Sequence, residues 1–91
     1  MIRLEIRKAS GSVATWRLLL DDVVLGEVTI KEERVPVITW LYIYPPNRKG
    51  GVGRQCVQAI KAKYGRAPVT EHEVETARPF WAKMRQEGLV N

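Results

Sequence analysis

The fold of this chain is decided by residues 35–64, VPVITWLYIYPPNRKGGVGRQCVQAIKAKY. The stretch opens with an apolar, β-branched and aromatic run, as in a buried strand, and this run breaks at Pro45-Pro46. Three glycines lie within residues 50–53, and apolar side chains then recur at helical spacing. A glycine loop between a strand and a helix points backbone N–H groups at an anion, because glycine permits close approach and a helix N-terminus is electropositive. The stretch therefore predicts an anion-binding loop.

Before this stretch the sequence predicts three more strands. Aliphatic and charged residues alternate through residues 2–7, which is the pattern of a half-buried strand. Two further runs cover residues 14–20 and 24–31, and polar turns at Ser10-Gly11 and Asp21-Asp22 separate the three runs. In the third run, one predicted face carries Val24, Gly26, Val28 and Ile30. With residues 35–44 as the fourth strand, the pattern is an antiparallel meander.

After the stretch the sequence predicts one short strand and a second helix. Gly65 ends the first helix, residues 51–64, and residues 67–70 form a strand that Pro68 weakens. The last helix begins near Thr76, a good N-cap residue, and ends at Gly88. Its apolar stripe consists of Ala77, Phe80, Trp81 and Met84. The prediction is thus a single α/β (α+β) domain over residues 1–91.

Composition and charge limit the class of partner. A length of 91 residues suits one small domain, and 45% apolar with 27% charged residues excludes a disordered chain. The net charge of +5 leaves an anionic partner open. Arg48, Lys49 and Arg54 flank the glycine loop, so coenzyme phosphates would explain part of the excess. On charge alone, nucleic acid is open as a partner as well.

The cysteine count and the hydropathy pattern bear on the compartment. Cys56 is the single cysteine, so an internal disulfide is impossible and a reducing, cytoplasmic location is expected. The first residues lack the apolar core of a signal peptide, and no run approaches the length of a membrane span. No His, Cys, Asp and Glu cluster has the spacing of metal ligands, so no metal is expected.

Residues 49–54, KGGVGR, resemble the deviant P-loop of ParA- and MinD-like ATPases, whose pattern is KGGxGK followed by Ser or Thr. The chain differs from this pattern at the two positions that contact phosphate and magnesium. Arg54 replaces the phosphate-binding lysine, and Gln55 replaces the hydroxyl that binds magnesium. A P-loop would also need a parallel sheet and an acidic metal ligand downstream.

The closer resemblance is to the GNAT superfamily of N-acetyltransferases. The family's coenzyme A motif, Gln/Arg-x-x-Gly-x-Gly/Ala after a strand, is matched in register by residues 48–53, RKGGVG. The preceding LYIYPPN is similar to the family's strand 4 and loop. The resemblance implies a mixed, mainly antiparallel sheet splayed at strand 4, with two helices. The chain would lack the helices that usually form the acceptor side of the site, because the Ser10-Gly11 turn stands where the family inserts them.

The resemblance also implies the cofactor and the residues that bind it. Acetyl-CoA or another acyl-CoA would lay its pyrophosphate on the loop amides and its pantetheine arm along strand 4, and Arg48 would brace the loop. The implied coenzyme-binding residues are Leu41, Tyr42, Ile43, Arg48, Lys49, Gly50, Gly51, Val52, Gly53 and Arg54. An ordinary basic glycine turn before a helix is the structural alternative.

Catalytic residues are less clearly marked. Trp81 occupies the position of the tyrosine that serves as acid in many family members, and strand 4 contains no glutamate to act as base. The candidates for proton transfer are Tyr44 and His72, since a lone histidine titrates near neutrality. An exposed loop histidine without a role is the alternative for His72. Cys56 is interpreted as helix core, and Trp16 and Trp40 as core or interface aromatics.

Two functional classes remain open from the sequence. The first is an acetyl-CoA-dependent N-acyltransferase in which an amine acceptor, such as a protein terminus or a lysine, attacks the thioester directly. The second is a coenzyme A-binding or interaction module that lost the acid and the base. Because the chain stops before the family's last strands, a sheet edge would be open, and the sequence predicts pairing with a second copy or another chain.

Overall fold

The computed structural model describes residues 1–48 and 50–91, and within them five strands form one sheet in the order β1-β2-β3-β4-β5. The elements are β1 (Arg3–Ser10), β2 (Val13–Leu20), β3 (Val23–Lys31), β4 (Val37–Ile43), α1 (Val52–Tyr64), β5 (Val69–Thr70) and α2 (Arg78–Gln86). The first four strands are antiparallel, and β5 pairs with β4 in parallel. The predicted fold class, a mixed and mainly antiparallel sheet with two helices, is confirmed.

Two-residue turns join the first three strands, as the sequence predicts. Ser10 pairs with Val13 across the first turn. Asp21 and Asp22 form the second turn with φ of 49° and 69°. Positive φ at both central residues matches the right-handed twist of the flanking strands, which is why aspartate is favoured there.

A bulge in β3 changes which side chains enter the core. Leu18 pairs with Gly26, but the next residue of β2 pairs with Val24, so Leu25 is the extra residue of the bulge. Leu25 is consequently 4% exposed and packs in the core, whereas Val24 is only partly buried. The prediction that Val24 shares a strand face with Val28 and Ile30 was wrong, because strict alternation fails at a bulge.

The edge strand β1 is more exposed than its alternation predicts. Ile2 is buried and Leu4 partly buried, but Ile6 is 48% exposed. β1 has β2 as its strand neighbour on one side, and its pairing shifts register at Arg7. The helices cover the middle of the sheet, so the half-buried pattern holds only at the N-terminal end of β1.

The core lies between one sheet face and the two helices. Cys56, Val57 and Ile60 of α1 are fully buried. Their partners in the core include Leu18, Val28, Ile30, Ile38, Trp81, Met84, Leu89 and Val90. Asn91 donates its backbone N–H to Pro68 O at 2.8 Å, so the C-terminal residues run beside the chain that enters β5. Among the described residues, no helix packs on the opposite face of the sheet.

The start of α2 differs from the prediction. Glu75–Ala77 form a 3₁₀ turn, and α2 begins at Arg78 with Pro79 in its first turn. Neither helical segment has a side-chain cap, so Thr76 is not the N-cap. The Ala77 N–H bonds to Val74 O at 2.9 Å, and this backbone bond starts the helical segment in place of a threonine hydroxyl.

A candidate coenzyme cleft beside β4

A cleft opens where β4 and β5 separate. β5 pairs with β4 only at Val37 and Ile38, and Glu71 N then donates to Ile38 O at 2.9 Å. Past this bond, residues 39–43 of β4 have no strand neighbour on that side within the described chain. The cleft has a volume of ≈ 810 Å³, in the range of small-molecule sites. Its walls are β4, the start of α1, residues 70–77 and α2.

The open edge of β4 presents backbone groups to this cleft. Tyr44 donates its N–H to Leu25 O on β3 at 2.9 Å. Because peptide groups of successive residues point to opposite edges, those of Leu41 and Ile43 face the cleft and those of Tyr42 face β3. Arg48 Nε donates to Ile43 O at 2.6 Å, which places the guanidinium on the open edge and braces the loop. All three strand residues predicted to contact coenzyme, Leu41, Tyr42 and Ile43, line the cleft.

The glycine loop adds N–H groups at one end of the cleft. Gly50 and Gly51 have φ of 68° and 76°, in the left-handed region that favours glycine, and Gly51 is the N-cap of α1. Gln55 N bonds to Gly51 O at 3.0 Å, so the amides before Gln55 in the first turn have no partner within α1. A Cβ at Gly50 or Gly51 would meet nothing within 4 Å, so this surface is open to an anion. Lys49 lies outside the described residues.

The last loop glycine serves packing. A Cβ at Gly53 would lie 3.0 Å from Phe80 Cε1 and 3.2 Å from Phe80 Cζ. Close by, Arg54 Nε contacts Glu87 Oε1 at 2.5 Å, so the start of α1 is held to the end of α2. The guanidinium of Arg54 is therefore engaged within the protein, and its contribution to an anion site would come from its backbone.

The structure does not support the ATPase alternative. A P-loop follows the first strand of a parallel sheet, whereas this glycine loop follows β4 of a mainly antiparallel one. Arg54, at the position of the phosphate-binding lysine, is paired with Glu87.

His72 lies at the tip of the turn that forms the opposite wall. Its φ is 57°, its side chain is 83% exposed, and its Nε2 is 3.9 Å from Glu71 Oε1. Glu71 also pairs with Lys31 Nζ at 3.1 Å, and Glu73 accepts two bonds from Arg85 at 2.6 and 3.1 Å. The bonds from Arg85 lower the pKa of Glu73 below its ordinary value. His72 therefore lies at the cleft, with a left-handed backbone, between two carboxylates that are each held by an ion pair.

Tyr44, the other candidate for proton transfer, is placed differently. Its hydroxyl donates to Glu27 Oε2 at 3.4 Å, and Glu27 Oε1 lies 3.2 Å from Arg7 Nε. The described lining of the cleft includes His72 but does not include Tyr44. The structure thus brings one of the two candidates to the cleft, and a catalytic role stays a prediction for both.

The rings of Trp40 and Tyr42 form an aromatic side of the cleft that was not predicted from the sequence. Trp40 and Tyr42 line it with 48% and 38% exposure, and their rings are parallel within 3° at 5.8 Å between centroids. The sequence signal was the alternation of these residues with Leu41 and Ile43, which belong to the core side. A bulge at Thr39 sets this phase, because Thr29 pairs with Trp40 and Ile30 with Ile38.

Two further residues define what the cleft can do chemically. Trp81 is 6% exposed, packs edge-on against Phe80 at 5.0 Å and lines the cleft from α2. Its indole N–H can donate a hydrogen bond but cannot act as an acid. Burial raises the pKa of Cys56 to about 12, so this core thiol is not a nucleophile.

Comparison of the chain with models of protein families, with curated proteins and with solved structures found no match. The geometry therefore carries the functional argument. Within residues 1–48 and 50–91, no helix has the length and hydropathy to cross a membrane. The same residues contain no group of three or more His, Cys, Asp or Glu that is placed to hold a metal ion.

Proposed function

We propose that this protein binds acetyl-CoA or another acyl-CoA and transfers the acyl group to an amine. The observation that carries the proposal is that an unpaired strand edge and a glycine loop meet in one cleft. The extended pantetheine arm can hydrogen-bond to the backbone of Leu41 and to the N–H of Ile43, whose carbonyl accepts Arg48, as an added strand would. The pyrophosphate can then accept bonds from the amides at the start of α1.

The reaction would be direct attack of the amine nitrogen on the thioester carbonyl. A C–N bond forms, the C–S bond breaks, and coenzyme A leaves as a thiolate. His72 is the group at the cleft that can take the proton of the amine, because its imidazole is exposed on the wall opposite β4. Trp81 can donate a hydrogen bond, and solvent would protonate the thiolate. Positioning supplies much of the rate in such a reaction, so loss of the usual acid slows transfer without preventing it.

The second candidate is a coenzyme-binding module without catalytic activity. The observation that favours this module is that a buried tryptophan, Trp81, occupies the position where the family resemblance implies an acid. In both readings we propose a reducing, cytoplasmic setting, consistent with the single buried thiol of Cys56.

Coenzyme binding is tested by calorimetry with acetyl-CoA and a matched pair of glycine variants. Gly51→Glu puts a carboxylate at the proposed phosphate position, and we expect affinity to fall about 100-fold, because like charges in contact cost several kcal/mol. Gly11→Glu is the control, since Gly11 also has positive φ, at 60°, and open space for a side chain, but lies in the first hairpin turn. Equal loss in both variants, or no binding by the unmodified protein, would reject the site.

Transfer is tested by thiol release from acetyl-CoA over a panel of peptides, polyamines and amino sugars. Release that depends on the acceptor supports the transferase. Tight coenzyme binding without release on any acceptor supports the binding module.

Self-association is a separate proposal. The outer edge of β1 has no strand neighbour within the described chain, and Ile6 is exposed beside it. Light scattering at high concentration should show a dimer, and a strict monomer in the absence of other chains would contradict this.

A further inference from the structure

A row of aromatic side chains runs along the face of β4 that turns away from the helices. Trp40, Tyr42 and Tyr44 alternate along the strand, and the ring centroids of neighbours lie 5.8 Å apart. The first two rings are parallel within 3°, whereas Tyr44 packs edge-on against Tyr42. Trp40 and Tyr42 are both exposed, although covering rings of this size is favourable. The proposed transfer assigns no task to these two rings.

A basic side chain lies against this aromatic row. The guanidinium carbon of Arg48 is 4.9 Å from the centre of the Tyr42 ring, within the roughly 6 Å of a cation–π interaction. Its Nε donates to Ile43 O at 2.6 Å, which fixes the side chain in this position. Among the described residues, no carboxylate forms an ion pair with Arg48. A stacking surface and a cation without a carboxylate partner therefore lie side by side.

The neighbouring strands extend this surface into a broad polar face. Cross-strand pairing places Thr29, Thr15 and Lys8 in line with Trp40 on the same side of the sheet. Because neighbouring strands are about 4.8 Å apart, Lys8 on β1 lies roughly 14 Å from Trp40 on β4. The two threonine hydroxyls are 3.1 Å apart between ring and lysine, and both can hydrogen-bond to a ligand. Within the described chain, no helix packs on this face.

The charge of the face favours a polyanion. Lys8 is exposed and, like Arg48, forms no ion pair within the part of the chain that the structure describes. Two other cations, Arg7 and Arg17, are paired with carboxylates but stay 48% and 41% exposed, and such surface pairs are weak. Sugars also stack on aromatic rings, but a neutral glycan would leave these cations unused. Phosphates would neutralise them.

We infer that this face binds single-stranded nucleic acid, with bases on Trp40 and Tyr42 and phosphates at Arg48 and Lys8. Every base has a π-face, so stacking of this kind tolerates any sequence. Four-stranded sheets with exposed aromatic side chains bind single-stranded RNA in the same way. A duplex fits less well, because its bases are already stacked on one another. The inference goes beyond the proposed transfer and does not depend on it.

The test is fluorescence anisotropy with short labelled RNA and DNA strands, at several salt concentrations and without coenzyme. Trp40→Ala should lower affinity about 5- to 100-fold, the usual range for loss of one stacked base. Trp40→Phe should retain most of the affinity, because it keeps a ring. The exposed position of Trp40 allows both variants to fold. A duplex of the same sequence should bind more weakly than either single strand.

A matched pair of lysine variants tests whether the phosphates lie on this face. Lys8→Gln should reduce the slope of log K against log salt concentration by about 0.7, the value for one phosphate contact in a single strand. Lys63→Gln makes the same change of charge on α1, on the helix side of the sheet, and should leave the slope unchanged. Equal changes in both variants would mean that net charge alone attracts the strand, and would overturn the inference.

The remaining outcomes also decide the matter. The inference is overturned by absence of binding, by an affinity that survives Trp40→Ala, or by a duplex that binds as tightly as a single strand. Tighter binding of a neutral glycan or an acidic peptide than of the oligonucleotides would assign the rings to that ligand and overturn it as well. Tighter binding of RNA than of DNA would support the inference and identify RNA as the ligand, and equal affinities would support it for both.

Discussion

The two ends of the cleft are built from different parts of the polypeptide. At the loop end the available groups are backbone amides and carbonyls, presented by Gly51, the first turn of α1 and the edge of β4. At the opposite end, residues 70–74, the available groups are side chains, and ion pairs from Lys31 and Arg85 hold them. A site made of backbone groups needs only a particular backbone conformation, and glycines in the sequence indicate where such a conformation occurs. A side-chain site needs particular residues brought together, which a linear pattern does not show.

The largest effect is expected at the side-chain end, in transfer activity. We predict that His72→Gln lowers kcat/KM about 10²–10⁴-fold, the usual contribution of a general base, with little change in coenzyme affinity. Tyr44→Phe should change kcat/KM less than about twofold, because its hydroxyl bonds to Glu27 away from the cleft. Steady-state kinetics and calorimetry on both variants check this. A larger loss in Tyr44→Phe would indicate that proton transfer takes place at Tyr44, on the sheet face that the helices do not cover.

The next prediction separates packing from anion binding at the loop end. Gly53→Leu should destabilise the protein by about 1–3 kcal/mol, because a larger side chain collides with Phe80. Gly53→Ala should be nearly neutral, since the better helix propensity of alanine offsets a close contact with a ring that can shift. Urea unfolding measures both variants. If Gly53→Ala keeps its stability but loses coenzyme affinity as Gly51→Glu does, Gly53 belongs to the phosphate site and its assignment to packing is wrong.

The smallest effect concerns the brace of the side-chain end. Arg85 lowers the pKa of Glu73, so the pair stabilises the fold above the ordinary glutamate pKa and the gain is lost as pH falls through the lowered folded value. Arg85→Gln should raise the pKa of Glu73 back towards its ordinary value, because the hydrogen bonds from Arg85 are the main cause of the lowering. NMR titration of the Glu73 carboxyl measures this shift, with Lys83→Gln as a control on the same helix.

The same pair gives a second readout in stability. At neutral pH, Arg85→Gln should have a lower free energy of unfolding than the unmodified protein. This difference should shrink at acid pH, once the Glu73 carboxyl is protonated in both proteins. A difference that stays constant down to acid pH would mean that Arg85 acts by packing, and that the ion pair does not hold the turn at His72.

Much of the fold could be predicted from the sequence. The hairpin turns at Ser10-Gly11 and Asp21-Asp22, the helix that ends at Gly65 and the order of the elements all follow from local preferences. Such preferences act over a few residues, so a linear pattern contains them. The left-handed backbone at Gly50 and Gly51 was predicted for the same reason, because few residues other than glycine adopt φ values of 68° and 76°.

Bulges and packing between distant residues could not be predicted from a periodic pattern in the sequence. Leu25 enters the core in place of Val24, and Trp40 faces the cleft, because each follows a register shift between paired strands. Gly53 is required by Phe80, which is distant in sequence and meets it only when α2 packs on α1.

By itself the sequence determined the strand, glycine loop and helix of residues 35–64, because β-branching, proline and glycine act on the backbone where they stand. Only the tertiary structure decided that β5 leaves β4 after Ile38, that His72 lines the resulting cleft and that Tyr44 bonds to Glu27 instead. These contacts join residues from different elements, and their geometry depends on how the sheet and helices pack together. The loop end of the cleft is thus encoded locally, and the side-chain end exists only in the folded protein.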